Sequence, residues 1–351
     1  MMKYKLFIFL FTGILSFYSC NTSQDETHKL SHNAAEQLLN YLEENGNYVN
    51  SDNIPSLIDA TKLYESLDDN ILVIDLRTQD QYTKGHVKGA LNIAADSILF
   101  FFENIIEPNS FDKIIMVCEI GSRSAYVTGL LRLLGYDNVF SLRFGLSSWS
   151  KNIANNKWLY NLSSALEGQL ETQSNPKPEK GELPLLSTLK EHPYDILKER
   201  VSLLLKEDIS KTFVSLEDIS HDYKAFYLIN YWPLNLYEQG HLPGAVQYTP
   251  KKAFHSTEDL LTIPTNKPVI VYCFTGQHSS FAVAFLRVLG YDAYSMRYGT
   301  NAFIYETMKA TQRASRVFSE EHIKDFPLDT KEKTIEPELN KPISVPIQGG
   351  C

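Results

Sequence analysis

The sequence predicts an α/β protein made of two like domains, each a parallel sheet flanked by helices. Three observations predict it. Landmarks recur at one offset (237 − 82 = 155): Tyr82 as Tyr237, Gly85-His86-x-x-Gly89-Ala90 as Gly240-His241-x-x-Gly244-Ala245, and Leu134-Gly135-Tyr136-Asp137 as Leu289-Gly290-Tyr291-Asp292. A period that long exceeds the roughly 20–50 residues of solenoid units and marks a duplicated domain. Apolar runs such as Ile71–Leu76 and Ile114–Cys118 lack the alternation of half-exposed strands, as parallel strands covered on both faces do. These runs alternate with helical segments, the order that a parallel sheet requires. At 351 residues, 43% of them hydrophobic, the chain has room for two domains that each bury a core.

At the N-terminus, Lys3 and Lys5 precede an apolar run from Leu6 to Phe17, too short to span a bilayer comfortably and suited to a signal-peptide core. It stops at Ser19-Cys20, before the polar Asn21-Thr22-Ser23-Gln24-Asp25-Glu26. This pattern resembles a bacterial lipoprotein signal, with a tether similar to those of the Bacteroides group. The resemblance implies a signal over 1–19, lipidation of Cys20, a tether over 20–33, and a protein held at a membrane of the cell envelope, the outer membrane being expected. Losing residues 1–19 removes two lysines and no acid, taking the net charge from −9 to −11 (31 basic, 42 acidic residues). An exported acidic chain without a basic cluster gives no reason to expect nucleic acid as a partner.

The first domain is placed at 34–160. Leu38, Leu39 and Leu42 share one face of a helix expected over 34–45. The strand Ile71–Asp75 follows, then Ile114–Cys118, then a helix over Ser124–Leu134 that Gly135 ends. The polar stretch 168–184, with Pro176 and Pro178, marks a linker, set at 161–193. The second domain, 194–315, opens with a helix over 194–206 and continues with a strand at Phe226–Asn230. Residues 316–351 are charged and proline-containing without periodicity, and are expected to form a loosely ordered tail.

Chemistry concentrates where the buried strands end. Cys118 is followed by Glu119-Ile120-Gly121-Ser122-Arg123-Ser124, and Cys273 by Phe274-Thr275-Gly276-Gln277-His278-Ser279, each loop opening a helix. Parallel sheets bind ligands beyond the carboxyl ends of their strands. A short glycine-containing loop can turn its N–H groups inward as an anion-binding nest, and the helix start adds its positive end. That cradle suits a thiolate, the reactive form of cysteine, so Cys118 and Cys273 are candidate nucleophiles. Arg123 can hold an oxyanion with paired hydrogen bonds, and Ser122, Ser124 and Ser279 offer further donors.

Asp75-x-Arg77, Tyr82, Gly85-His86-x-x-Gly89-Ala90 and Cys118-x-x-Gly121-x-Arg123-Ser124, with Gly240-His241-x-x-Gly244-Ala245 and Cys273-x-x-Gly276-x-His278-Ser279 in the second copy, resemble the rhodanese family over most of 50–155 and 208–305. The resemblance implies a sulfurtransferase: a cysteine takes sulfane sulfur from a donor such as thiosulfate, forms a persulfide, and passes the sulfur to cyanide or a thiol. The partners implied are a small sulfur donor and a thiol acceptor, with no cofactor. The alternative is a non-catalytic module of the same fold that carries sulfur or binds a partner. Loop length argues against phosphatase chemistry, because cysteine phosphatases place one more residue between cysteine and arginine than the four residues 119–122 found here.

The copies are unequal. Asn230 replaces Asp75, Trp232 replaces Arg77 and His278 replaces Arg123, while Lys88 stands where the family usually has the proline that Pro243 keeps. A histidine is mostly neutral near pH 7, so Cys118 is expected to serve anionic donors and Cys273 to be a second persulfide carrier or a weaker site. Asp75 and Arg77 are read as a supporting ion pair, His86 and His241 as turn-fixing residues, and Tyr126 and Phe281 as packing. Glu119 sets a negative charge beside the nucleophile, which opposes an anionic donor. No metal site is expected, since the histidines are scattered and no Cys-x-x-Cys occurs. Equivalent cysteines in separate cores are not expected to form a disulfide, and Cys351, after Gly349-Gly350, is read as an exposed tail thiol.

Overall fold

A computed structural model of the chain describes residues 29–331 apart from 312, 314 and 315, so the signal segment, Cys20 and Cys351 lie outside the described residues. Strand β1 (Lys29–Ser31) leads into α1 (His32–Glu44). The first domain continues through β2 (Leu57–Ile58), α2 (Ala60–Glu65), β3 (Ile71–Asp75), α3 (Gln79–Thr83), β4 (Leu91–Asn92), α4 (Ile98–Asn104), β5 (Lys113–Val117), α5 (Ser122–Leu133), β6 (Val139–Leu142) and α6 (Lys151–Asn156). After β7 (Leu186–Thr188), the second runs through α7 (Pro193–Lys206), β8 (Phe213–Val214), α8 (Leu216–Ser220), β9 (Tyr227–Asn230), α9 (Leu234–Tyr237), β10 (Val246–Gln247), β11 (Val269–Tyr272), α10 (Gln277–Val288), β12 (Ala293–Met296) and α11 (Tyr305–Lys309).

The sheets have the same topology. Their orders are β2-β6-β5-β3-β4 and β8-β12-β11-β9-β10, every pairing parallel. The middle strands β5, from Ile114 on, and β11 are buried, as the unbroken runs Ile114–Val117 and Val269–Tyr272 require between two helical layers. The two cysteines follow these strands directly. Gly135 sits just past α5 at φ +93°, the left-handed conformation that costs glycine little and stops a helix.

The two halves form one body. Helices α5 and α10, which follow the two cysteine loops, pack against each other with Gly129 at the crossing, where an added Cβ would meet the Ala284 Cβ at 3.0 Å. One cluster of buried apolar side chains includes Leu130 and Leu131 of α5, Phe281 and Phe285 of α10, and Leu38 and Leu197 of α1 and α7. Each such side chain contributes about 1.5–3 kcal/mol by leaving water. Strands β1 and β7 also pair across the halves, antiparallel.

The expected linker, and the described part of the tail expected to be loosely ordered, pack against the domains. Within the expected linker 161–193, Leu166 N–H donates to Phe303 O (3.0 Å), Glu171 exchanges both backbone hydrogen bonds with His241 (3.0 Å each), and Leu170 covers Gly240. Within the expected tail 316–351, Arg316 and Val317 still pack on the second domain, and the described residues from Phe318 on return to the first. Val317 and Phe318 are buried, Phe326 stacks on Tyr64 with ring centroids 4.0 Å apart, and Trp149 Nε1 donates to Pro327 O (3.1 Å). Their apolar residues are irregularly spaced, so no period announces their burial.

Candidate active site

Cys118 directly follows β5, and its sulfur meets two backbone N–H donors and a hydroxyl. Gly121 N–H lies 3.2 Å from Sγ, Ser124 N–H 3.4 Å and Ser124 Oγ 3.3 Å. Gly121 adopts φ +89°, which turns its N–H inward and opens α5. The corner after β6 backs this loop: Leu146 N–H donates to Cys118 O (2.8 Å), and Gly145 lies so close that a Cβ there would be 2.6 Å from Gly121 N.

Cys118 lines a cavity of about 230 Å³ with Glu119, Arg123, Lys157, Arg297 and Tyr298. Three cations face one carboxylate, a balance suited to a small dianion. Gln81 Nε2 holds the Glu119 carboxylate at 2.8 Å, and Arg123 Nη1 donates to Leu76 O at 3.2 Å. Burial pushes the Tyr298 phenol up to about 12, so it is a neutral hydroxyl at pH 7. Ser122 Oγ is buried without a hydrogen-bond partner among the described residues. Arg297 and Tyr298 come from the second domain, so this site is built across the interface.

Cys273 follows β11 in a related but poorer ring: Ser279 N–H donates to its sulfur at 3.3 Å, and the thiol itself donates to Ser279 Oγ at 3.4 Å. Its cavity is larger, about 410 Å³, and its walls include Tyr231, Pro233, Pro250, Phe274 and Thr275. Arg143 of the first domain reaches it, reciprocally with Arg297, and Lys251 and Arg316 also line it. His278 stands here where the first loop has Arg123. Burial, then the nearby Lys251 and Arg316, lower it to about 3, so it is neutral at pH 7, and its Nε2 has no partner among the described residues. Gln277, placed by sequence among the anion-binding loop residues, turns its side chain away to the domain interface, where Oε1 accepts from Phe144 N–H at 2.8 Å. It does so because α10 packs directly on α5. Gly276 opens α10 at φ +76° as Gly121 opens α5, and Ile120 packs beside Phe144 and Trp158. Both cysteines are free.

Asp75 and Arg77 do not line the Cys118 cavity. They form a buried pair, Arg77 Nη2 to Asp75 Oδ2 at 2.7 Å, and the same nitrogen holds Gly85 O at 2.7 Å. In the second domain Arg313, from far downstream, supplies the equivalent bond to Gly240 O (3.2 Å) and lies over the Trp232 ring. His86 and His241 are buried, stack on Tyr82 and Tyr237, and place Nδ1 at 3.0 and 2.9 Å from the carbonyls of those tyrosines. Sequence reasoning missed Lys157, Arg297, Arg143, Lys251 and Arg316. A signal existed for two of them, since Arg143-Phe144-Gly145 recurs as Arg297-Tyr298-Gly299. Among the described residues no helix is long and apolar enough to cross a membrane, and no three metal-ligating side chains cluster.

The family model described as Rhodanese-like domain matches residues 59–152 and 204–306, more than half of the chain. The chain is 28% identical over 108 residues to Thiosulfate sulfurtransferase 16, chloroplastic, of Arabidopsis thaliana, a match covering 28% of this chain and 90% of that protein. It is 29% identical over 125 residues to the Adenylyltransferase and sulfurtransferase UBA4 of Debaryomyces hansenii, covering 34% of this chain. Among the curated relatives it matches, the chain spans 25% of UBA4 and 29% of the tRNA uridine(34) hydroxylase of Erwinia tasmaniensis. The solved structure of the 3-mercaptopyruvate sulfotransferase SseA from Escherichia coli aligns with 68% of this chain and 97% of its own, at 20% identity and a TM-score of 0.24. With its two matched segments each folded as a parallel sheet that ends its middle strand in a cysteine loop, the chain belongs to the rhodanese-like domain family, whose domain it carries twice.

Proposed function

We propose that this chain is a tandem sulfurtransferase in which Cys118 is the principal nucleophile. One observation carries the reading: Cys118, its sulfur held by two backbone N–H groups, lines a cavity that Arg123, Lys157 and Arg297 also line. The cations draw in a dianionic donor such as thiosulfate and orient it. The Cys118 thiolate attacks the donor's outer sulfur. A bond forms from Sγ to that sulfur as the donor's own S–S bond breaks, and sulfite leaves with the electron pair. The terminal sulfur of the persulfide, itself anionic, is stabilised by the same ring of N–H groups. Cyanide or a thiol then attacks it and returns Cys118 as a thiolate. Charge balances at each step, and neither step needs a general base.

The second site differs in kind. Its cavity is larger, partly walled by proline and aromatic side chains, and His278 is neutral, which weakens its grip on a small dianion. Cys273 is therefore a second persulfide carrier, and the second domain partly plays the carrier role that a non-catalytic module of this fold would have. The N-terminal pattern adds a location: Cys20 carries lipid and holds the protein at a membrane of the bacterial cell envelope.

The test of the activity is thiocyanate formation from thiosulfate and cyanide by wild type, Cys118→Ser and Cys273→Ser. Turnover is expected to vanish in the Cys118 variant and to persist in the other. If wild type makes no thiocyanate and neither thiol gains the mass of one sulfur from any sulfane donor, the enzymatic reading falls. Radiolabelled palmitate incorporated by wild type but not by Cys20→Ala tests the anchor.

A further inference from the structure

We infer that Gln277, a residue of the second domain's loop, is a positioning residue for the Cys118 thiolate, so that the reactivity of the first site depends on the second domain. The inference rests on reading Cys118 as the nucleophile. Gln277 is the first residue of α10 and fully buried. Its Oε1 accepts from Phe144 N–H at 2.8 Å, and its Nε2 donates to Leu142 O at 3.3 Å and Gly121 O at 3.4 Å. Each of these bonds crosses from one domain to the other.

Gly121 links Gln277 to the sulfur. Its N–H donates to Cys118 Sγ, while its carbonyl receives Ala125 N–H (3.0 Å) and Ser124 Oγ (3.1 Å) besides Gln277. The Gln277 amide packs against Gly121 itself, where an added Cβ would lie 2.7 Å from Gln277 Cδ. Phe144, the other partner, is a non-glycine residue at φ +60°, a conformation that needs outside support. It precedes Gly145 and Leu146, which back the Cys118 loop. One side chain therefore secures both the cysteine loop and the corner behind it.

The brace runs one way. The equivalent position in the first loop (277 − 155 = 122) is Ser122, whose hydroxyl reaches no partner among the described residues. The sulfurs differ accordingly. Cys118 receives two backbone N–H groups, from Gly121 and Ser124, whereas among the described residues Cys273 receives only that of Ser279. The braced loop is the one with the extra donor.

The test uses the full chain with Gln277→Met, which keeps length and volume but makes none of the three bonds. The readout is the pH profile of Cys118 alkylation by iodoacetamide, resolved from Cys273 by peptide mass analysis. Cys118 is expected to react about ten-fold more slowly below neutrality, with its profile displaced to higher pH, because a hydrogen bond to the anion is weakened. The Cys273 profile is expected to stay in place. Should Gln277→Met fail to fold, Gln277→Glu replaces it. That variant keeps the acceptor for Phe144 N–H, sets a negative charge against Gly121 O, and is expected to displace the Cys118 profile the same way. A folded variant with altered stability but a Cys118 profile superimposed on wild type would overturn the inference and leave the sulfurtransferase reading standing. A wild-type Cys118 as slow as free cysteine would instead remove the nucleophile reading, and this inference with it.

Discussion

Asp329 exchanges both backbone hydrogen bonds with His86, at 2.9 and 2.8 Å, and so seals the Gly-His turn of the first domain with a segment that follows the second. Glu171, which follows the first domain, does the same for His241 in the second. Leu328 lies over Gly85 and Leu170 over Gly240, each where a Cβ on the glycine would touch it. Each domain is thus completed by the trailing segment of the other, and the two are expected to fold as one unit.

A chain ended before Val317 is expected to lose the first domain's stability before the second's. It lacks Phe318, which is fully buried and packs on Trp158 and Phe144, and Phe326, which packs on Tyr64 and Trp149. Calorimetry should resolve the single transition of the full chain into two. In the full chain, Phe318→Ala should cost about 3–5 kcal/mol by urea unfolding. An unchanged single transition in the shortened chain would show that the crossing segment contributes nothing to stability.

Arg297 is expected to act on substrate rather than on stability. It is half-buried, and its guanidinium donates to Ser210 O (3.1 Å) while lining the Cys118 cavity. Arg297→Ala should raise KM for thiosulfate about ten-fold, the worth of one charge-assisted hydrogen bond, with little change in kcat. Arg143→Ala, the equivalent change at the Cys273 cavity, should leave that KM unaltered. Steady-state kinetics on both variants check the pair, and equal effects would argue against separate cavities.

The sequence carried what is local. Apolar runs without alternation foretold β3 and β5, and the leucine faces foretold α1, because burial on a parallel sheet imprints itself residue by residue. The cysteine loops were legible because Gly121 and Gly276 mark the turns that place a sulfur at a helix start. What stayed hidden depends on docking. Arg297 beside Cys118, and Gln277 against Gly121, join residues more than a hundred positions apart through the α5–α10 contact, and no periodicity encodes which side chain ends at an interface. Gln277 shows the limit well. Its place in the loop suggested a ligand-facing role, yet the surface that covers it is a partner domain.

Acid should destabilise the protein through His278. Its value is lowered from 6.5 to about 3, mainly by burial and then by Lys251 and Arg316, so the folded state holds it neutral. Above about pH 6.5 the folded and unfolded chains are both neutral there, and its contribution to stability is fully present. Between pH 6.5 and pH 3 the unfolded chain takes up a proton that the fold refuses, so stability falls as pH falls, by up to about 1.4 kcal/mol per pH unit. His322, lowered by burial and by Arg143, adds in the same direction. His278→Phe should flatten the fall measured by urea unfolding from pH 6 to pH 4. Identical slopes in wild type and variant would mean that the imidazole titrates in the folded state.

The two sites can be disabled separately without touching either sulfur. Gly145 has φ +59°, and a Cβ on it would lie 2.6 Å from Gly121 N and 2.7 Å from Ile120 N. Both neighbours are backbone, which cannot move without carrying the cysteine loop along. Gly145→Ala should therefore shift the Gly121 N–H off Cys118 Sγ and slow persulfide formation at Cys118 about a hundred-fold, as displacements near 1 Å do in other sites. Gly299, at φ +55° with a Cβ position 2.5 Å from the Phe274 carbonyl carbon, should do the same to Cys273 when changed to alanine. Gly89→Ala separates collision from strain: φ is +75° there, but nothing lies within 4 Å of the added Cβ. That variant bears the cost of a left-handed alanine, about 1–2 kcal/mol, without pressing on a loop, and should load sulfur normally. Peptide-resolved mass analysis after a sulfane donor reads all three variants. If Gly145→Ala loads Cys118 at the wild-type rate, the corner behind the loop does not hold the donors in place, and the ring around the sulfur must owe its shape to α5 and Gln277.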